Sequence, residues 1–174
     1  MTFQEIYNDY NKLVYNLALQ YVQNIEDAQE ITQDTFISIH LNLHTFQGNA
    51  RISTWIYRIT INKSLDFIKA QKSKKRFAVL TSLFHLSGAE IKHHSSIFDH
   101  PGVLLEQKEA MEKIFAQINN LPAKQKTALI LKKLEQKSQK EVSDIMGISE
   151  KAVESLLQRA KVNLTIKLNL TKEI

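Results

Sequence analysis

The stretch Ser138 to Lys161, SQKEVSDIMGISEKAVESLLQRAK, constrains the fold more than any other part of the chain. Ser138 and Glu141 form an S-x-x-E capping box, in which side chain and backbone satisfy each other's unpaired donors at a helix start. The helix that follows places Val142, Ile145 and Met146 on one face. Gly147 then supplies the left-handed residue that ends a helix before a sharp turn. Ile148 is expected in the angle of the turn, and Ser149 caps a second helix. That helix carries Val153, Leu156, Leu157, Ala160 and Leu164 as one apolar stripe. Lys151, Glu154, Ser155, Gln158, Arg159 and Lys161 occupy its other face. Two short helices around a glycine turn make a helix-turn-helix, whose second helix fits the DNA major groove. Arg and Lys donate to guanine edges or phosphates, Gln pairs with adenine, and Ser serves either; Glu154 accepts from cytosine but repels phosphates. An ordinary helical hairpin with a solvated outer face shares the same pattern.

The rest of the chain also reads as helix. Phe3, Ile6, Tyr7, Tyr10, Leu13, Val14, Leu17, Ala18 and Tyr21 follow helical spacing, which makes the tyrosines core residues. Asn24 caps a second helix from Ile25 to about Leu43, with Ala28, Ile31, Thr35, Phe36, Ile39 and Leu43 inward. Its outer face shows Asp27, Glu30, Gln33 and Asp34. No His converges on them, so a docking face for a basic partner is the sharper reading and a solvated face the blander one. Gly48 and Asn49 mark a loop in HTFQGNARIS. A helix restarts near Ser53, with Trp55, Ile56, Ile59 and Phe67 inward and Arg58, Asn62, Lys63, Asp66 and Lys69 along one side. Lys72, Lys74, Lys75 and Arg76 extend the charge. A basic helix with aromatics beside a polar loop suits single-stranded or melted nucleic acid.

Periodicity is lost over residues 77–103, where loop signals cluster and an interdomain linker is expected. His85, His93, His94 and His100 fall near it without the spacing of a metal motif. It returns from Leu104 with Met111, Ile114, Phe115 and Ile118, and again after Leu121-Pro122 with Ala128, Leu129, Leu131 and Leu134. The organisation expected is therefore all-α: two small helical domains, 1–76 and 104–174, joined by a flexible linker, the second containing the helix-turn-helix.

Charge is divided along the chain. The net charge is +5 over 174 residues. Residues 1–50 hold Glu5, Asp9, Glu26, Asp27, Glu30 and Asp34 against Lys12 alone, whereas residues 63–76 hold six cations against Asp66. Acidic and basic surfaces side by side imply two kinds of partner. The absence of cysteine excludes disulfides, thiolate metal sites and thiol chemistry. No run is long and apolar enough to span a bilayer and MTFQEIYNDY is no secretory signal, so a cytoplasmic location without membrane insertion is expected. No nucleophile–base–oxyanion set or phosphate-cradling glycine loop suggests an enzyme, and no cofactor or metal is expected.

Four blocks in order resemble the bacterial RNA polymerase sigma factors of the small extracytoplasmic-function group: EDAQEITQDTFISI, FQGNARISTWIYRITINKSLDFIK with its W-x-Y-R-I-x-x-N core, INNLPAKQKTALILKKLEQKS, and KEVSDIMGISEKAVESLLQRAKVNL. The resemblance implies that Asp27, Glu30, Gln33 and Asp34 dock on the clamp helices of core RNA polymerase. It implies that Gly48, Asn49, Arg51, Ser53, Trp55, Arg58, Asn62 and Lys63 recognise the minus-ten promoter element and hold a flipped base, with Lys69, Lys72, Lys74 and Arg76 along phosphates. Lys151, Glu154, Ser155, Gln158 and Arg159 would read the minus-thirty-five element, with Lys140 on the backbone. An anti-sigma factor is the further partner implied. Glu154 departs from the pattern, since many members carry Lys there. The run Lys72-Ser73-Lys74-Lys75-Arg76 has fewer arginines than usual, and the third domain of larger sigma factors has no counterpart. A conventional helix-turn-helix regulator of duplex operators would account for the second half alone, and a helical adaptor would bind no DNA.

Overall fold

A computed structural model of the chain describes residues 1–48, 50–84 and 105–170, with side chains described at 1–48, 50–76 and 111–168. Asn49, the four histidines near the expected linker, and most of that linker lie outside the described residues. The described residues form helices and turns, with no strand among them. They divide into two compact units, Met1–Leu43 with residues 59–84 and His44–Arg58 with residues 105–170.

In the first unit, α1 (Phe3–Val22) starts at a capping box. The Thr2 N–H donates to Glu5 Oε2 at 2.7 Å and the Glu5 N–H to Thr2 Oγ1 at 3.3 Å. Gln23 ends the helix in the left-handed region at φ 50°, its N–H donating to the Leu19 carbonyl. The next residue, Asn24, caps α2 (Ile25–Asn42) by accepting from the Asp27 N–H at 2.7 Å. So short a connection folds the two helices back on each other. Near the turn, Ala18, Ala28 and Ile31 pack together under Phe67. At the far end Phe3 lies edge-on to Phe36 and to His40, with centroids 6.3 and 4.9 Å apart. Tyr21 is buried as expected, but Tyr7 is 43% exposed, lying against Phe36 where the hairpin opens. The buried hydroxyls of Thr35 and Ser64 donate to the carbonyls of Ile31 and Thr60, so burial leaves neither unsatisfied.

The long helix α3 (Ile52–Phe84) runs well past the end that periodicity predicts. The reason is compositional. Lys72 to Arg76 offers no apolar stripe to read, yet Lys and Arg are good helix formers.

In the second unit, α4 (Leu105–Asn119) and α5 (Ala123–Leu129) lead to a π-helical turn over Ile130–Leu134, closed by the Glu135 N–H donating to the Ile130 carbonyl. α6 (Gln139–Met146) and α7 (Glu150–Leu170) follow. Ile118, Leu121, Ala128, Ile130, Leu131, Val142, Ile145, Val153 and Ala160 form the buried set. The extra residue in the π turn shifts the inward face. Ile130 joins Leu131 in the core, while Leu134, expected inward, is 39% exposed. Met111 and Ile114 were also expected inward and are exposed; Ile118, one to two turns on, is the buried position of that stripe.

Candidate nucleic-acid interface

The helix-turn-helix forms as its sequence dictates. The Ser138 N–H donates to Glu141 Oε2 at 2.8 Å, and the Glu141 N–H to Ser138 Oγ at 3.2 Å. Hydrogen bonding from Ser138, through hydroxyl and backbone, holds the Glu141 carboxyl below its ordinary range, with Lys137 and Arg51 adding to the effect. Gly147 takes φ +64°, and its N–H donates to the Ser143 carbonyl. Ser143 Oγ donates to the Ile148 carbonyl at 2.5 Å across the turn. Ser149 Oγ accepts from the Ala152 N–H at 3.2 Å, starting α7. The side chain of Gln139 donates to the Glu150 carbonyl at 3.0 Å, a second tie between the two helices.

α7 buries Val153 and Ala160 and keeps Leu156, Leu157 and Leu164 partly buried. Lys151, Glu154, Gln158 and Arg159 are exposed on its outer side, and Ser155 is half-buried between the faces. Lys140 is exposed on α6. The helix is fixed from behind. The Asn163 amide donates to Gln125 Oε1 at 2.8 Å and Lys167 Nζ to the Asn120 carbonyl at 2.9 Å.

The loop ahead of α3 contains Gly48 at φ +72°, a conformation other L residues rarely adopt. Trp55 stacks at a tilt on Phe46, centroids 5.2 Å apart. Arg51 is exposed and Ser53 half-buried at the helix start. Both line a polar groove of about 870 Å³ with Lys137, Lys140 and Ser149.

Tyr57 and Arg58 are engaged in a way the sequence did not announce. The Tyr57 phenol is only 3% exposed and donates to Glu135 Oε2 at 2.6 Å, while Lys137 Nζ lies 4.9 Å above its ring. Burial, then the bond to the Glu135 carboxylate, pushes the phenol well above its ordinary pKa. Arg58 donates through Nε to the Ile145 carbonyl at 3.1 Å and through its terminal nitrogen to the Asp144 carbonyl at 2.6 Å. Sequence reasoning assigned Arg58 to DNA and gave Tyr57, Glu135 and Lys137 no role. The signal was the Tyr of the W-x-Y-R core, a polar-tipped ring in a buried register.

Farther along α3, Asn62, Lys69, Lys72, Lys74 and Arg76 are exposed and Lys63 is half-buried. From residue 63 to 76 a helix rises about 20 Å, so Lys63, Lys69, Lys72, Lys74 and Arg76 are spread along that length. On α2, Glu30, Gln33 and Asp34 are exposed and Asp27 is half-buried in the first turn. The same face continues into Ile37 and Leu41, 57% and 63% exposed, which the sequence reading had left out. Among the described residues no cluster of His, Cys, Asp or Glu could hold a metal ion, and no helix is long and apolar enough to cross a membrane.

Comparison with known proteins places this arrangement. Residues 6–74 match the family described as Sigma-70 region 2, and residues 111–164 match Sigma-70, region 4. The chain is 28% identical over 163 residues to the ECF RNA polymerase sigma factor SigW of Bacillus subtilis, covering 91% of this chain and 84% of that protein. It is 26% identical to the ECF RNA polymerase sigma-E factor of Haemophilus influenzae, over 91% and 83% of the two chains. Among solved structures, the sigma factor RpoE in complex with the anti-sigma factor NepR from Bartonella quintana shares the fold at a TM-score of 0.62, with 18% identity and 96% of each chain covered. CnrH in complex with the cytosolic domain of CnrY does so at 0.63, with 18% identity, over 97% and 88%. With both regions present in order along one chain, the protein belongs to the sigma-70 family of RNA polymerase sigma factors and, within it, to the extracytoplasmic-function group.

Proposed function

We propose that this chain binds core RNA polymerase and directs it to promoters, acting as an initiation factor and not as a catalyst, in the cytoplasm. The observation that carries the reading is the presence of a Sigma-70 region 2 match and a region 4 match in one chain, with an acidic helix face in the first and a helix-turn-helix in the second. A stand-alone operator-binding regulator leaves region 2 without a task.

In this reading residues 1–76 serve polymerase and the minus-ten element, 104–174 serve the minus-thirty-five element, and 77–103 connect them. Asp27, Glu30, Gln33 and Asp34 present negative charge and hydrogen-bond acceptors to a basic helical surface of core. Gly48, Asn49, Arg51, Ser53, Trp55, Arg58, Asn62 and Lys63 take the melted minus-ten strand, and Lys69, Lys72, Lys74 and Arg76 follow its phosphates. Capturing an unstacked base offsets an unstacking cost of about a few kcal/mol. Lys151, Glu154, Ser155, Gln158 and Arg159 read the minus-thirty-five duplex, where base edges carry the sequence information, and Lys140 adds a phosphate contact. An anti-sigma factor fits the same reading, since one of the structures sharing this fold is a complex of that kind.

Competition for purified core polymerase between this chain and another sigma factor tests the first step. Displacement by the wild type, and weaker displacement by Asp34→Lys, is the expected result. No displacement at any concentration would contradict it.

A further inference from the structure

We propose that the polar groove beside α6 binds a nucleoside di- or triphosphate. Both of its walls belong to the second unit. Its volume of about 870 Å³ lies within the range of small-ligand pockets, about 300–1,000 Å³. Part of its polar lining is already used. Ser138 and Glu141 cap each other, Ser143 donates to the Ile148 carbonyl, and Arg58 donates to the carbonyls of Asp144 and Ile145. Another part is free. Among the described residues, none hydrogen-bonds or ion-pairs with the side chains of Arg51, Ser53, Thr54, Lys140 or Asp144, all of which line the groove.

The free groups have a direction. Arg51 and Lys137 both act on the Glu141 carboxyl, which places them at the start of α6, where Lys140 also stands. Asp144 lies four residues after Lys140 on the same face, about 6 Å along the axis. One end of the groove is therefore cationic and the other carries a carboxylate that accepts only. A polyphosphate takes donors from the cations, while sugar hydroxyls or base N–H groups donate to Asp144. The hydroxyls of Ser53 and Thr54 serve either end. A bare phosphate chain, a nucleic-acid backbone included, would set anions against Asp144. Arg51, Ser53 and Lys140 are also promoter contacts in the reading above, so a bound nucleotide competes with DNA for them. That consequence rests on the promoter reading; the site itself does not.

Equilibrium dialysis of the full chain against radiolabelled GTP and ATP, with inorganic tripolyphosphate as competitor, tests the site. Saturable binding of one nucleotide per chain is expected, with tripolyphosphate the weaker ligand. Lys140→Gln and Asp144→Asn are each expected to weaken nucleotide binding about ten-fold, the scale of one hydrogen bond to a charged group. Thr54→Val is expected to weaken it several-fold. Asp144→Asn is expected to leave tripolyphosphate binding no weaker than in the parent. Circular dichroism of each variant confirms that the fold is retained. No saturable binding of either nucleotide would overturn the proposal, as would binding that all three substitutions leave unchanged. Tripolyphosphate binding as tightly as the nucleotides, with Asp144→Asn silent, would overturn the nucleoside part of it. Nucleotide binding in the predicted order, by a chain that fails to compete for core polymerase, would support the site and count against the promoter role instead.

Discussion

Asn163 on α7 and Gln125 on α5 are joined side chain to side chain at 2.8 Å, and this bond helps set the angle at which α7 leaves the second unit. Gln125 is buried. Asn163→Ala leaves a buried amide oxygen without this donor, at a cost of about 1–3 kcal/mol. Urea unfolding is expected to show a lowered midpoint with an unchanged slope. Asn163→Asp removes the donor while keeping the shape, and a loss of similar or larger size is expected.

Gly147 gives a cleaner backbone test. A Cβ built there meets nothing within 4 Å, so substitution meets no steric obstacle. At φ +64° the whole penalty is conformational. Gly147→Ala is expected to cost about 1–2 kcal/mol, and Gly147→Asn less, since Asn tolerates this region. Thermal unfolding of the two variants checks the order.

Two carboxylates give the chain a predictable acid response. Glu5 is held below its ordinary value of 4.5 chiefly by the Thr2 backbone N–H, and Glu141 by hydrogen bonding from Ser138. Because each folded pKa is depressed, each contributes stability that is fully present above 4.5 and is lost as pH falls through the lowered folded value. Glu141→Gln is expected to flatten stability against pH in that acidic window and to leave the profile above it unchanged in shape. An identical acidic slope in the variant would contradict the capping role.

The π-helical turn predicts an asymmetry that an unbroken α-helix would not. Leu131 is fully buried and Leu134 is 39% exposed. Leu131→Ala is expected to cost about 2–5 kcal/mol, and Leu134→Ala well under half of that. Equal losses would place both on the same face and contradict the shifted register.

Charge on α7 and α3 separates positioning from reading. Each phosphate contact contributes about 0.9 to the slope of log affinity against log salt on duplex DNA and about 0.7 on single strands. Lys72→Ala and Lys74→Ala are expected to weaken minus-ten binding uniformly across sequences and to shallow that slope. Glu154→Lys is expected to strengthen and steepen minus-thirty-five binding. Gln158→Ala is expected to relax the base preference with the salt slope unchanged. Binding isotherms at several salt concentrations check all four.

How much of this could be read from the residues differs between the two units. Caps and turns act locally, so Ser138, Glu141, Gly147, Ser149 and Asn24 were legible, and the structure puts each to the expected use. Strong stripes were legible too, as in α1 and α7. The end of α3 was not, because the polar run Lys72 to Arg76 carries no stripe to link residues 77–84 to the helix before it. Ile130 and Leu134 exchanged faces because a π turn inserts a residue that no 3.6-residue period anticipates. Of the site, the exposed faces of α2, α3 and α7 followed from periodicity. The engagement of Arg58 did not, since its partners are backbone carbonyls 86 and 87 residues away, and backbone acceptors leave no mark in a sequence.

The most direct measurement is transcription initiation with purified core polymerase on genomic fragments, with start sites mapped at single-nucleotide resolution. The account predicts starts that appear only when this chain is added, that share two upstream elements, and that disappear with Asp34→Lys. New starts absent at every ratio of chain to core, despite duplex binding by the chain alone, would contradict it.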